Sequence, residues 1–481
     1  MRHFPAVALL LAGLVSLPAD AAITMLARGT LGGTSDLSGL SGTLENGLPA
    51  NILGGMGSGL TYAGGNTFLA VPDRGPNATP YNSQVDDTVS YISRFHTLTM
   101  DLTASKGGSL PFTLTPTLKS TTLLSSSTPL AYGSGAGLGT QMNGQPLGSG
   151  APAQNSAGKY YFTGRSDNFV QGSSGNPLNA RFDPESIRAS NDGKSVFISD
   201  EYGPYVRQFD RATGTLVKTF TLPANLDVST LSSQGKTETS LNTSGRTDNK
   251  GMEGLAITPD GKTLVGIMQA SLIQDAADKA TKKMVRIVTI DIATGATKEY
   301  GYMLTVGSGV SEITAINDHQ FLIDERDGAG LGDGSSAVAK QFFTIDISNA
   351  VDITNMSGAT AAAAAVAKKP FLDLVAALNA NGITSDQIPA KIEGVTFGQD
   401  VTWNGDLYHT LFVANDNDFL PGTAGPNQFF VFGFKDGDLP GLVPQRIAAV
   451  PEPASWVMMI GGFGLVGTAM RRRMRTTVRF A

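Results

Sequence analysis

Hydrophobic and polar positions along this 481-residue chain recur as one short phrase, written five times. A small or acidic residue opens an apolar run, a tight polar turn follows, a second apolar run returns, and a polar, mostly acidic end closes the phrase. Ser58-Gly59-Leu60 leads through Gly64-Gly65-Asn66 to Asp73-Arg74, and Glu185-Ser186-Ile187 through Asn191-Asp192-Gly193-Lys194 to Asp200-Glu201. Glu253-Gly254-Leu255 leads through Asp260-Gly261-Lys262 to Gln269, and Glu312-Ile313 through Asn317-Asp318-His319 to Asp324-Glu325-Arg326. The last copy runs from Glu393-Gly394-Val395 through Asn404-Gly405-Asp406 to Asn415-Asp416-Asn417-Asp418. Apolar alternation around Asp-Gly or Asn-Gly predicts a β-hairpin, because such pairs accept the positive φ of a tight turn.

A third strand is predicted after most copies, at Val89–Leu102, Val206–Phe220, Val285–Ile292, Gln341–Ile347 and Gln428–Phe434. The copies begin about 60 to 80 residues apart, except for a first gap about twice as long, which leaves room for a degenerate sixth copy around Tyr160-Tyr161-Phe162. Units of three or four antiparallel strands cannot bury both faces alone, so they predict propeller blades. The expected fold is an all-β, six-bladed β-propeller. Between blades, residues 103–157 read as long Ser/Gly/Thr/Pro-rich loops, and Ala359–Asn379 as a short helical insertion interrupted at Pro370.

Composition fits a large turn-rich body. There are 58 glycines and only 16% charged residues, which suits short strands rather than bundles or disorder. The formal net charge of −6 gives no broad basic surface for nucleic acid. With no cysteine the chain has neither disulfides nor a thiol nucleophile.

The two ends read as addresses. Arg2 and His3 precede the apolar run Ala6–Leu17, and Ala19-Asp20-Ala21 supplies the small residues of a cleavage site, so residues 1–21 are expected to be a signal peptide. The body is expected to span 22–449. In 450–475, Pro451-Glu452-Pro453 precedes an apolar stretch over 454–470 and then Arg471-Arg472-Arg473-Met474-Arg475. Seventeen apolar or small residues barely span a bilayer, and the arginines would stay cytoplasmic, leaving the body outside. A plain tail anchor has the same hydropathy. The Pro-Glu-Pro, single span and arginine cluster resemble the PEP-CTERM sorting signal. That resemblance implies exosortase processing near Pro451-Glu452-Pro453 and a periplasmic, cell-surface or extracellular destination, with at least transient anchoring in the inner membrane.

The body, from about Leu26 to Ile447, resembles the phytase-like family, also described as esterase-like activity of phytase. The phrases that carry the match are Asp73-Arg74-Gly75, Phe182-Asp183-Pro184-Glu185-Ser186-Ile187, Ser199-Asp200-Glu201-Tyr202-Gly203, Asn249-Lys250-Gly251-Met252-Glu253-Gly254-Leu255, Glu325-Arg326-Asp327 and Lys391-Ile392-Glu393-Gly394-Val395-Thr396-Phe397. The resemblance implies hydrolysis of phosphate or carboxylic esters without fixing a substrate.

Chemistry can also be read from the repeats themselves. Equivalent positions of blades lie on a ring, so Glu185, Glu253, Glu312 and Glu393 are expected to converge at one end of the channel as candidate catalytic acids. Carboxylates crowded in a low-dielectric funnel need cations or raised pKa values. Asp73, Asp200, Glu201, Asp324, Glu325, Asp416 and Asp418, where each second strand returns, are candidate ligands for calcium, which takes six to eight hard oxygens. Arg74, Arg188, Lys250, Arg326 and Lys391 are candidate groups for holding an anionic ester. In this scheme the nucleophile is a metal-bound water, or a water activated by a glutamate.

Blander readings compete residue by residue. An acid at a fixed position in each repeat can simply cap backbone N–H groups of the next blade, and Asp-Gly-Lys at 192–194 and 260–262 is turn chemistry. Asn415-Asp416-Asn417-Asp418 lacks the Gly and distant Glu of an EF-hand. No Gly-x-Ser-x-Gly elbow occurs, and His96, His319 and His409 are placed for packing or the surface rather than for zinc. Two function classes stand: a calcium-assisted esterase acting on phosphate monoesters or related esters, and a non-catalytic propeller that binds exopolysaccharide or a partner at the cell surface.

Overall fold

The computed structural model describes residues 23–76 and 81–448; the expected signal peptide and the apolar stretch at 454–470 lie outside these. Among the described residues no helix is long and apolar enough to cross a membrane. Among the described residues the strands form five blades, each a four-stranded antiparallel path, where the repeat spacing predicted six. The first blade runs Gly59–Tyr62, Thr67–Val71, Arg94–Ala104 and Phe112–Leu123, and the second Pro184–Ala189, Ser195–Asp200, Tyr205–Asp210 and Leu216–Thr221. The third holds Met252–Ile257, Thr263–Met268, Met284–Asp291 and Thr297–Met303, and the fourth Gly309–Ala315, Gln320–Arg326, Lys340–Asp346 and Lys368–Asp373. The fifth is closed by the start of the chain. Thr24–Leu31 pairs antiparallel with Asn427–Phe434 outside Asp406–Asn415 and Ile392–Phe397. Borrowing the first strand to finish the last blade removes an edge and locks the ring.

The missing sixth blade has a physical reason. Tyr160–Tyr161 pairs only with Ser125–Ser126, and Phe162 fills the apolar seam between the first two blades, against Phe182 and Phe209. Its aromatic run reads like a strand but serves as a wedge. The insertion also differs from expectation. Instead of one helix over 359–379 there are two short ones, Gly358–Ala363 and Leu374–Ala380, separated by the outer strand of the fourth blade. Pro370 sits on that outermost strand, where a missing ladder N–H is tolerated. Within 103–157, Phe112–Leu123 is a full strand paired along Arg94–Ala104 rather than loop.

The innermost strands pack in a closed five-membered ring, each against its two neighbours. Four of them carry a bulge near their start, between Pro184 and Ile187, Met252 and Gly254, Val310 and Glu312, and Ile392 and Gly394. A bulge re-aims a side chain at the sheet edge, and here it turns residues into the channel mouth. The hairpin turns lie at the opposite end; Asn404 and Gly405, with φ of 53° and 88°, make the tight turn the sequence predicted.

Candidate functional site

The ring has a shared register. Leu60, Ile187, Leu255, Ile313 and Val395 are all buried at equivalent places on the inner strands. Two residues before them stand Ser58, Glu185, Glu253, Ser311 and Glu393; one residue before them stand Gly59, Ser186, Gly254, Glu312 and Gly394. Glu312 is therefore not the equivalent of the other three glutamates. It is displaced by one position, and on a strand one position reverses the side-chain direction. The signal was in the sequence: Glu-Gly precedes the apolar residue in two copies, whereas Glu312 abuts Ile313.

Glu312 consequently lies inside the channel waist rather than at its mouth. Its carboxylate accepts from Ser186 Oγ at 2.9 and 3.0 Å, and from the backbone N–H groups of Leu255 and Ile313 at 3.0 Å. Arg188 Nη2 is 3.0 Å away. The same guanidinium donates to the carbonyls of Leu60, Ile187, Ile313 and Val395, at 2.7 to 3.3 Å. One ion pair thus ties all five inner strands and plugs the axis. The glycines leave it room: a Cβ on Gly254 would stand 2.7 Å from Ile313 N, and one on Gly59 2.7 Å from Ser186 Cα. Burial pushes the Glu312 carboxyl up to about 8, against the opposing pull of Arg188.

Above the plug, a cavity of about 220 Å³ opens at the mouth. Its lining includes the carboxylates Asp73, Glu185, Glu201, Glu253, Glu393 and Asp416, the cations Arg74, Lys250, Arg326 and Lys391, and the neutral Asn249, Gln269 and Ser311. The inner-strand starts and the second-strand ends deliver these groups together, as the repeat predicted. Most are held. Arg326 Nη2 donates to Glu393 Oε1 at 2.5 Å, its Nε donates to Ser311 Oγ, and Nη2 stands 3.8 Å from Glu253 Oε1. Lys391 Nζ bridges Asp416 at 3.1 Å and Asp418 at 2.5 Å. Arg74 grips Asp183 twice, through its backbone N–H at 2.8 Å and Nη1 at 2.9 Å. Lys250 is exposed and donates to Gln269 Oε1 at 3.0 Å.

Two carboxylates stand apart. Glu201 is 1% exposed, and among the described residues neither of its oxygens has an N–H or hydroxyl partner; the Glu253 carboxyl is close enough to share a proton with it. Glu253 has Oε1 held by Gln269 Nε2 at 2.8 Å, while Oε2 is buried and unpartnered. Oxygens of Asp183, Glu185 and Glu201 lie within 4.8 Å of one another, as do oxygens of Asp73, Asp416 and Asp418. Burial holds Glu185, Glu201 and Glu393 well above the usual carboxylate range; for Glu185 and Glu201 the neighbouring Glu253 adds most to that, while Arg326 opposes it for Glu393. Asp73 is raised likewise, by burial and then by Asp416.

The remaining candidates lie elsewhere. Asp200 is buried against Arg207 and accepts from Tyr202 N and Asp183 N, bracing the second blade. Glu325 faces outward, bound to Tyr302 Oη at 2.5 Å, Lys368 and the N–H groups of Thr305 and Val306. Asp324 is buried outside the cavity lining, its carboxyl pushed up to about 7 by burial. His96 is buried on Thr121, and His319 and His409 pair with surface aspartates. Asp183 and Gln269 were the functional-looking residues missed as candidates. Asp183 was legible, since it stands two residues before Glu185 and so shares its face.

A family model described as "Esterase-like activity of phytase" matches residues 51–419, most of the chain. The chain belongs to the phytase-like family. A second model, the PEP-CTERM protein-sorting motif, matches residues 449–473, so this phytase-like protein carries an export address that implies exosortase processing and association with a membrane through its C-terminal part. Among curated proteins it is 30% identical over 295 residues to an uncharacterised secreted protein of Arthroderma benhamiae, a match covering 54% of this chain. The chain spans about half the length of that relative, 53%. Solved propellers are more distant: the periplasmic gluconolactonase of Pseudomonas aeruginosa is 13% identical with a TM-score of 0.31, covering 89% of this chain and 99% of that one. A putative 6-phosphogluconolactonase of Bacteroides fragilis is 15% identical with a TM-score of 0.31, covering 83% and 92%.

Proposed function

We propose that this phytase-like protein is an exported ester hydrolase acting on phosphate monoesters or related small esters at the acidic mouth of the propeller, with calcium as its cofactor. The single observation that carries the reading is the pair of buried carboxylates, Glu201 and Glu253, left with unsatisfied oxygens in a cavity where Arg326, Lys391 and Arg74 already hold other carboxylates. A buried unpartnered carboxylate costs several kcal/mol unless a proton or cation joins it. Six lining carboxylates face four lining cations, so with every group ionised the mouth would carry an excess of two negative charges and repel a phosphate.

The donor set fits calcium: all its groups are carboxylate oxygens, with no sulfur or imidazole among them. Asp183, Glu185 and Glu201 would hold the ion, since only Asp183 of these three is already paired with a cation, Arg74, whereas Lys391 bridges two of the other three, Asp416 and Asp418. When bound, the ion would neutralise the excess charge and polarise the ester's phosphoryl or carbonyl oxygen. Glu253 is the group suited to take a proton from water. Gln269 fixes one oxygen and leaves the other free, and burial raises its carboxyl against the pull of Arg326. Lys250, the most exposed of the lining cations, would hold the anionic end of the substrate, while the Arg326 fork is committed to Ser311, Asp327 O and Glu393. Arg188 and Glu312 have no part in chemistry here; they close the floor.

At about 220 Å³ the cavity has room for several waters, enough for a phosphoryl group and its first waters. Among the described residues no aromatic side chain lines it, so these offer no stacking platform of the kind a polysaccharide-binding face would present. The test is release of phosphate from p-nitrophenyl phosphate and inositol hexakisphosphate, beside an acetate ester, each with calcium and with chelator. Calcium-dependent phosphate release lost in Glu253→Gln supports the reading. Turnover of the acetate ester alone moves the chemistry to carboxylic esters, and silence on all three makes the non-catalytic surface-binding propeller the better account.

A further inference from the structure

The other end of the channel is covered by the chain's own last described residues. Asn317 Nδ2 donates to Gly441 O at 3.0 Å, and Val443 N donates to Ile316 O at 2.8 Å. Gln445 Nε2 reaches Ala189 O and Asn191 Oδ1, both at 2.8 Å, and Ala448 N donates to Asn191 O at 2.8 Å. Val443, Pro444 and Gln445 line the small cavity there, together with Tyr62, Ile257, Ala315 and Phe397 from the C-terminal ends of four inner strands. Residues 441–448 are thus a strap hydrogen-bonded to the turn side of the second and fourth blades. The acidic mouth lies at the opposite end, about 20 Å away for inner strands of six to seven residues.

The sorting motif begins at residue 449, immediately after the strap. Only residues 449–453 separate Ala448 from the apolar stretch beginning at Ala454. The six Cα–Cα steps from Ala448 to Ala454 reach at most about 22 Å even when fully extended. A body of this size has a radius of gyration of roughly 22 Å and a diameter more than twice that, so such a tether is too short to swing round to the far side.

We propose that the strap fixes the orientation of the protein at the membrane: while the C-terminal segment holds the chain there, the turn side of the propeller faces the lipid headgroups and the acidic mouth opens away from them. Processing near Pro451-Glu452-Pro453 then cuts beyond the strap and leaves the channel floor intact. A soluble or matrix-borne ester reaches the mouth freely, whereas a lipid headgroup in the same bilayer does not.

The absence of native cysteine makes the test direct. Lys262→Cys on a turn-side loop and Val338→Cys on the mouth-side loop are both exposed, with 78% of the Lys262 side chain and 79% of Val338 accessible. Each full-length variant is labelled with a fluorophore and reconstituted in phosphatidylcholine vesicles carrying a headgroup nitroxide lipid. Quenching several-fold stronger at 262 than at 338 is expected. Equal quenching, or stronger quenching at 338, overturns the proposal. So does quenching at 262 that survives in a chain ending at Ala448, because the tether would then not be its cause.

Discussion

The waist and the mouth of the channel are built from the same residue types, yet they are opposite in chemical state. At the waist, Glu312 and Arg188 are buried to 1% and 3% side-chain exposure. The carboxylate is met by the guanidinium, two backbone N–H groups and a serine hydroxyl, and the guanidinium by four carbonyls. At the mouth, Glu201 is just as buried, and among the described residues it meets no N–H, hydroxyl or cation donor, only the neighbouring Glu253 carboxyl. A buried acid with complete bonds marks a structural joint, and an unsatisfied one is a candidate for chemistry only where it also lines a cavity, for Asp324 is equally unpartnered but lies away from the mouth. Counting acids in the repeat could not separate the two, because the count is blind to partners.

The sharpest way to break this contrast is to remove one member of the waist. Glu312→Ala should leave Arg188 as an uncompensated buried charge and cost about 3–5 kcal/mol of stability, read as a lowered midpoint in urea unfolding. If that variant unfolds near the parent midpoint, the plug is not holding the ring. At the mouth the losses should fall on turnover instead. Glu253→Gln is expected to lower the ester hydrolysis rate by about 10²- to 10⁴-fold with an unchanged urea midpoint; a fall in both would place Glu253 with the structural acids.

Calcium should act on the mouth alone. At a concentration about 100 times its Kd it should stabilise the folded chain by about 2.7 kcal/mol, seen as a raised Tm that chelator reverses and that Glu201→Gln abolishes. An unchanged Tm in calcium would remove the cation from the scheme. The effect spread over the most groups is in pH. Glu185, Glu201 and Glu393 have folded-state values raised well above the ordinary range by burial. The unfolded chain therefore loses these protons first, and stability without calcium should fall as pH rises above about 4.3, the ordinary Glu value. Each such group contributes up to about 1.4 kcal/mol per pH unit until its own folded value is passed. A Tm in chelator that is flat between pH 5 and 8 would show that the mouth acids are already neutralised by their neighbours.

Much of the architecture was legible in the alternation of apolar residues and the Asp-Gly and Asn-Gly turns, since strand period and turn conformation are local properties. The blade count was not. Tyr160-Tyr161-Phe162 has the local character of a strand, and only the seam between the first two blades makes it a wedge. The outer strand Lys368–Asp373 was hidden inside an alanine-rich stretch because pairing with Lys340–Asp346 overrode its neighbours' helix propensity. Glu185, Glu253 and Glu393 were placed correctly at one mouth by the repeat, while Glu312 was misaligned by one residue, the smallest error a strand allows and one that reverses a side chain.

The sequence by itself determined the repeat, the hairpins, the acid-bearing strand ends, the family and the export address, all of which are set by residues close together in the chain. Which acids are satisfied, which cation sits on which carboxylate, how many blades close the ring and which end the C-terminal strap covers were decided only in three dimensions. The physical reason is that these depend on contacts between segments hundreds of residues apart, such as Arg188 with Val395 and Gln445 with Ala189, and no local pattern encodes the partner a buried charge will meet.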